Sequence, residues 1–251
     1  MNSAHQNFGI YIIGDEILSG KREDKHLSQA IQILKARGLS LAWAEYLSDD
    51  PAKLAACFKR SLATSDIVFS FGGIGATPDD FTRQAVAVAL DVPIERHAGA
   101  VAEIEAQFGE SAYPKRVLMA DFPLGAALIP NTVNRCSGFS VHAHYFMPGF
   151  PKMAWPMMEW VLDTHYRHLF NRIILIEKSI NIYDASESQL IDLMNEIVTK
   201  HPNTKLFSLP KLSPNKKIEL GIKGQEHDVL LAIAEIKAGV TSLGFAWNDF
   251  S

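Results

Sequence analysis

The stretch DIVFSFGGIGATPDDFTRQAVAVA, Asp66 to Ala89, decides how the rest of this chain is read. Ile67 to Phe71 is a short, largely apolar run of the kind that forms a strand covered on both faces of a parallel sheet. Gly72, Gly73 and Gly75 follow, and without a Cβ they let main-chain N–H groups approach a ligand. Thr77 then has the form of an N-cap, Pro78 suits a first helical position, and Asp80 stands three residues after the cap, a carboxylate variant of the capping box. The pattern predicts a helix starting there.

A helix start behind glycines is a ready anion site, because unpaired N–H groups and the positive end of the helix dipole point outward together. Phosphate is the natural ligand. Asp79 and Asp80 in the first turn would repel a bare phosphate unless a divalent cation or a proton transfer occupied them, which points to metal-assisted phosphate chemistry. The competing reading is structural: acids in a first turn stabilise a helix by roughly 0.3–1 kcal/mol on their own. The stretch lacks Gly-Lys-Ser/Thr, so it is not a P-loop, and GGIGAT does not match the GxGxxG dinucleotide fingerprint.

Around this centre the composition is that of an ordinary globular chain. Its 251 residues are 47% apolar and 21% charged, enough for one full α/β domain and a small second one. A formal charge of −4, with no basic stripe, argues against a nucleic-acid partner. No apolar run approaches the length of a membrane span and no signal-peptide pattern opens the chain, so no membrane partner and a cytoplasmic location are expected. Cys57 and Cys136 are too few and too far apart for a disulfide framework or metal spacing, and are expected to be reduced, packed thiols.

Upstream, Phe8 to Ile13 reads as a first strand, ending in the loop Gly14-Asp15-Glu16-Ile17-Leu18-Ser19-Gly20. Ligands bind at the carboxyl ends of strands in open parallel sheets. Asp24 is positioned to cap a helix with Leu27, Ile31 and Leu34 on one face, closed by Gly38. Leu39 to Tyr46 supplies a second strand, and Ser48-Asp49-Asp50-Pro51 opens a helix with Leu54, Phe58 and Leu62 on one face. Strand and helix thus alternate three times in ninety residues, which predicts a doubly wound sheet with Asp15, Glu16, Asp49 and the Gly72 to Asp80 turn on one edge.

Downstream, Gly99 to Phe108 reads as a helix, Ala127 to Asn131 as a strand, and Phe139 to Val141 with Tyr145 to Met147 as a hairpin. His142 and His144, two apart, are expected to face solvent or a subunit contact, and Arg83 to meet a substrate phosphate or pair with Asp79 or Asp80. Met153, Trp155, Met158 and Trp160 form a stripe expected in the core or at a subunit contact. Near Phe170 the pattern restarts: strand Ile173 to Ile176, helix Ala185 to Thr199, strands Lys205 to Leu209 and Lys217 to Ile222, helix His227 to Ala238, and closing strand Leu243 to Trp247. That order is a split βαβ, ferredoxin-like module. The chain is accordingly divided into residues 1–170 and 171–251.

Four ordered blocks carry a resemblance. They are Gly14 to Gly20 followed by Asp49, Gly72-Gly73-Ile74-Gly75-Ala76-Thr77-Pro78-Asp79-Asp80-Phe81-Thr82, Pro123 to Asn131, and Met147 to Met153. Together they resemble the molybdopterin-binding, MoaB/Mog-like domain, above all the branch of competence/damage-inducible CinA and the N-terminal domain of FAD synthase. The resemblance implies a three-layer αβα sandwich with a mostly parallel sheet, followed by a small α+β ferredoxin-like module.

It also implies a nucleotide or pterin phosphate pocket at the strand ends. On the molybdenum-cofactor branch, relatives bind molybdopterin and adenylylate it with ATP and magnesium. On the CinA and FAD synthase branch, relatives hydrolyse the pyrophosphate of ADP-ribose or FAD with a divalent metal. Carried over, Asp80, Asp49 and Asp79 are the expected catalytic acids, and Asp15, Glu16 and Asp80 the expected ligands of Mg, Mn or Co. Gly72, Gly73, Gly75, Thr77, Thr82 and Asn131 are the expected substrate-binding residues. This chain has Lys25-His26 where many relatives carry Asn or Thr-Asn, and Lys152-Met153 where Glu-Met is usual. Three functions stay open: a nucleotide pyrophosphatase, a molybdopterin adenylyltransferase, and a non-catalytic nucleotide or pterin binder. Self-association is expected from the relatives.

Overall fold

A computed structural model describes residues 7–171, 175–211 and 216–250. The chain divides into two compact units, Met1–Phe170 and Asn171–Ser251. The first contains β1 (Phe8–Ile13), α1 (Asp15–Leu18), α2 (His26–Lys35), β2 (Leu41–Leu47), α3 (Pro51–Leu62), β3 (Ile67–Phe71) and α4 (Thr82–Leu90). It continues through β4 (Ile94–Arg96), α5 (Ala98–Phe108), β5 (Asp121–Pro123), β6 (Ala127–Ile129), β7 (Gly138–Val141), β8 (His144–Met147) and α6 (Pro151–His165).

Every residue of β1 and β3 is buried, as an apolar run inside a covered parallel sheet must be. The main sheet runs β2-β1-β3-β8-β7-β6. Its first four strands are parallel, and the β7–β8 hairpin then turns the edge antiparallel. Alternation sorts the two faces. Ile10, Ile12 and Phe69 pack with α2 and α6, including Ala30, Leu34, Met158 and Val161. Tyr11, Ile13 and Val68 pack on the opposite face with Leu54 and Phe58 of α3, Val86 of α4 and Ile104 of α5. The result is a three-layer αβα arrangement.

Several local expectations change in the tertiary structure. The helix predicted at Thr77 begins at Thr82 instead. Thr77 to Asp80 closes as a separate turn, with the Asp80 N–H donating to the Thr77 carbonyl at 3.0 Å. The later start is chosen by longer-range bonds: the Thr82 N–H donates to the Gly73 carbonyl, and its hydroxyl to that of Gly72, both at 3.0 Å.

In α2 the buried stripe is His26, Ala30, Ile33 and Leu34, while Ile31 of the expected stripe lies outward. Asp24 does cap this helix, accepting from the N–H groups of His26 and Leu27, and that start turns the imidazole inward onto Phe71. In α6 the buried residues are Ala154, Met157, Met158, Val161 and Leu162; of the expected Met and Trp stripe, Met158 is in the core, Trp155 packs against it and Trp160 is exposed. His144 does not face solvent: it is buried and hydrogen-bonded to Ser61 at 2.8 Å, whereas His142 sits in the hairpin turn at φ 49°. Burial carries the His144 pKa down to about 4.

The second unit contains β9 (Leu175–Tyr183), α7 (Glu187–Lys200), β10 (Lys205–Lys211), β11 (Lys217–Gln225), α8 (Glu226–Ser242) and β12 (Trp247–Asp249). Its antiparallel sheet runs β10-β11-β9-β12, and Ile180, Ile182, Leu220 and Ile222 pack under Leu190, Val229 and Ile236. The predicted strand Ile173 to Ile176 begins outside the described residues, and the described part extends to Tyr183. The closing strand is Trp247–Asp249, because Leu243 caps α8 and the chain turns at Gly244 first. Among the described residues, no helix is long and apolar enough to cross a membrane.

Candidate functional site

Because β1, β2, β3 and β8 are parallel, their carboxyl ends open on one edge, and a cavity of about 420 Å³ lies there. The end of β1 brings Gly14 and Glu16, the end of β2 brings Asp49, and β3 leads into a wall formed by Gly72 to Thr77 with Asp79 and Asp80. Asn131 and Cys136 approach from the loop before β7, and Gly149 and Phe150 from the end of β8.

The glycines are required by geometry at two positions. Gly73 stands at φ +68°, and a Cβ there would collide with the Thr82 hydroxyl. A Cβ on Gly75 would lie 2.5 Å from the Asp80 carboxylate. The loop they form is open to a ligand. Gly72 N–H donates to Met147 O at 3.0 Å and Thr77 N–H to Asp80 Oδ2 at 2.9 Å. Between them, the N–H groups of Gly73, Ile74, Gly75 and Ala76 meet no protein acceptor among the described residues.

Opposite this loop stand carboxylates. Asp49 accepts from the Asp15 N–H at 2.9 Å, and Asp15 accepts from the Asp49 N–H at 3.4 Å, which ties the ends of β1 and β2 together. Asp50, not Asp49, caps α3, accepting from Ala52 and Lys53 N–H, so Asp49 is free of that task. Burial holds the Asp49 carboxyl above its usual range, and the neighbouring charges of Asp15, Glu16 and Asp79 push the same way against the Asp15 hydrogen bond. Arg22, 3.5 Å from Glu16, brings a guanidinium to the rim.

Of the residues singled out from sequence, Glu16, Asp49, Gly72, Gly73, Gly75, Thr77, Asp79, Asp80 and Asn131 share this cavity. Asp15 stands just behind it through Asp49. Thr82 does not reach it, being fully buried with its hydroxyl donated to Gly72. Asp80 folds back, accepting from both the N–H and the hydroxyl of Thr77. Asn131 uses its amide within its own loop, donating to Asn134 and to the Cys136 carbonyl and accepting from the Val133 N–H, so it shapes the wall.

Among the described residues, no three His, Cys, Asp or Glu side chains are disposed to hold a metal by themselves. Asp15, Glu16 and Asp80 therefore do not form a preassembled ligand set. Arg83 pairs with neither Asp79 nor Asp80: it is buried and donates to the carbonyls of Gly75, Leu118 and Asp121, clamping the glycine loop from below. Sequence reasoning passed over Arg22 and Phe150, whose only signal was proximity to the Gly14 to Gly20 loop and to Pro148-Gly149.

Residues 9–168 match the profile of the probable molybdopterin binding domain. A CinA-like protein of Anaeromyxobacter sp. (strain Fw109-5) is 34% identical over 72% of this chain and 43% of its own length. One from Koribacter versatilis is 29% identical over 80% of this chain and 51% of its own. The chain therefore spans about half, or less, of these relatives. The crystal structure of CinA from Thermoplasma acidophilum is similar with a TM-score of 0.58 at 26% identity, over 63% of this chain and 96% of that one.

Proposed function

The chain belongs to the probable molybdopterin binding domain family, and from that premise we propose that it is a divalent-metal-dependent pyrophosphatase acting on a nucleotide substrate such as ADP-ribose or FAD. One observation carries the reading: four consecutive unpaired N–H groups, Gly73 to Ala76, share a cavity with Glu16, Asp49 and Asp79. Main-chain N–H groups in such a turn bind phosphate oxygens. The carboxylates would oppose that binding unless a cation joined it.

The donor set suits magnesium or manganese, which usually take one or two protein carboxylates and complete their shell with water and substrate phosphate. Glu16 and Asp79, which both line the cavity, are the side chains that would hold it, leaving Asp49 to act on water. When bound, the cation neutralises charge developing on the phosphate oxygens. Gly73 to Ala76 orient the pyrophosphate, and Asp49, which lines the same cavity and is not used as a helix cap, accepts the proton of the attacking water. The water oxygen bonds to one phosphorus, the bond from that phosphorus to the bridging oxygen breaks, and two phosphate monoesters leave.

Incubation with ADP-ribose or FAD and magnesium, manganese or cobalt, with AMP measured by chromatography, tests this. AMP release is expected, falling about 100-fold or more in Asp49→Asn, the scale of a lost general base. A second reading rests on Asp80, whose carboxylate is held by Thr77 instead of facing a metal. On it the cavity binds molybdopterin or a nucleotide without turnover. Saturable binding with no AMP formed would select it, and adenylylated pterin formed from ATP would select adenylyl transfer.

A further inference from the structure

A second cavity, of about 330 Å³, adjoins the first and shares Ile13, Glu16, Arg22, Gly149 and Phe150 with it. Its character differs. Where the first is walled by the glycine loop, the second has the apolar and aromatic side chains of Ile12, Ile17, His26, Phe71, Phe150 and Pro151 on its wall, with Glu16, Arg22, Glu23 and Lys25 also lining it.

His26 is built into this wall as a flat, uncharged ring. It stacks on Phe71 with ring centroids 4.5 Å apart and planes 17° from parallel. Its Nε2 lies 3.2 Å from the Gly149 carbonyl, which can only accept, so Nε2 carries the proton and Nδ1 is left as an acceptor. That Nδ1 has no partner among the described residues although the side chain is 5% exposed. Burial also draws the imidazole below its ordinary pKa, keeping it neutral. His26 and Phe71, stacked on each other, back the cavity, and the exposed ring of Phe150 gives it an aromatic face that suits a planar guest more than a sugar.

We propose that this second cavity is the subsite for a heteroaromatic ring on the far half of the substrate, so that the chain selects pyrophosphates bearing a ring at both ends over those ending in a bare sugar. The inference rests on the phosphate-binding reading of the first cavity, with the pyrophosphate held at Gly73 to Ala76 and the far half of the substrate passing Glu16 and Arg22 into the second. Each cavity is at the lower end of the roughly 300–1,000 Å³ typical of small-molecule sites, so two adjoining ones suit a two-headed ligand. Phe150, 60% exposed, stands on the shared wall where it can lie against either half.

The test is calorimetric binding of AMP, ADP-ribose and diadenosine pyrophosphate to the full chain with magnesium at a temperature where turnover is negligible. Diadenosine pyrophosphate is expected to bind about tenfold more tightly than ADP-ribose, a difference of about 1.4 kcal/mol. In His26→Ala that margin should disappear while AMP affinity stays within about twofold of wild type. His26→Phe, which keeps a ring stacked on Phe71, should retain most of the margin and guards against a simple folding defect. Equal affinity for ADP-ribose and diadenosine pyrophosphate, with AMP still bound, overturns the ring subsite and leaves the phosphate site standing. A margin unchanged in a folded His26→Ala variant overturns it as well, by placing the ring elsewhere. No binding of any of the three overturns both readings.

Discussion

Single residues in this protein owe their properties to what surrounds them more than to their type. Gly75 is one case: its missing Cβ is the space in which the Asp80 carboxylate reaches Thr77. Gly75→Ala is expected to displace that carboxylate and distort the open N–H groups, weakening nucleotide binding about tenfold with only a small change in melting temperature, as read by calorimetry and thermal unfolding. His144 is a second case. Its folded pKa of about 4 lies below the ordinary 6.5, so the unfolded chain binds the extra proton first. Stability from the neutral, buried ring is complete above about pH 6.5 and is lost as pH falls toward 4, amounting to about 3 kcal/mol at most. Denaturant titrations between pH 7 and 4.5 should show that decline, and a His144→Gln variant should show a shallower one.

At the scale of elements, the glycine loop is positioned by an arginine that never touches a ligand. Arg83 lies in the first turn of α4, and its guanidinium ties the Gly75 carbonyl to those of Leu118 and Asp121. Arg83→Ala would leave the Gly75 and Asp121 carbonyls without this donor, the Leu118 carbonyl keeping the Asp121 N–H, a cost of about 2–4 kcal/mol. Thermal unfolding should register this as a loss of roughly 5–10 °C, with the affinity for nucleotide reduced because the loop loses its clamp. If melting is unchanged, the clamp is not what holds the loop. The tie between Asp15 and Asp49 does the same for β1 and β2, joining the two strand ends whose loops supply carboxylates to the cavity.

At the scale of the whole molecule, the two units have separate cores. Ile10, Phe69 and Met158 belong to one unit, with Tyr11, Phe58 and Phe146 on the other face of its sheet, whereas Ile180, Leu220 and Ile236 form the core of the second. Every residue lining the first cavity falls within the first unit. A fragment ending at Phe170 is therefore expected to fold and to bind nucleotide with an affinity within about threefold of the full chain. A fragment that fails to bind while folded would show that the second unit contributes to the site.

The order of elements, the buried strands β1 and β3, and the glycine loop at a strand end were legible in the chain itself, because apolar period and glycine placement are local signals. The same signals put Glu16, Asp49 and Asp79 on one edge, since consecutive right-handed crossovers leave strand ends no other place to meet. What the tertiary structure alone decided was the use of each side chain. Thr77 looked like a helix cap, yet bonds from Thr82 to Gly72 and Gly73 moved the helix start onward. Arg83 looked like a phosphate partner and His144 like a surface residue, and each is committed to partners far along the chain, while the Asn131 amide is spent within its own loop. Such pairings depend on which distant atoms are left unsatisfied when the layers close, and no local window of sequence records that.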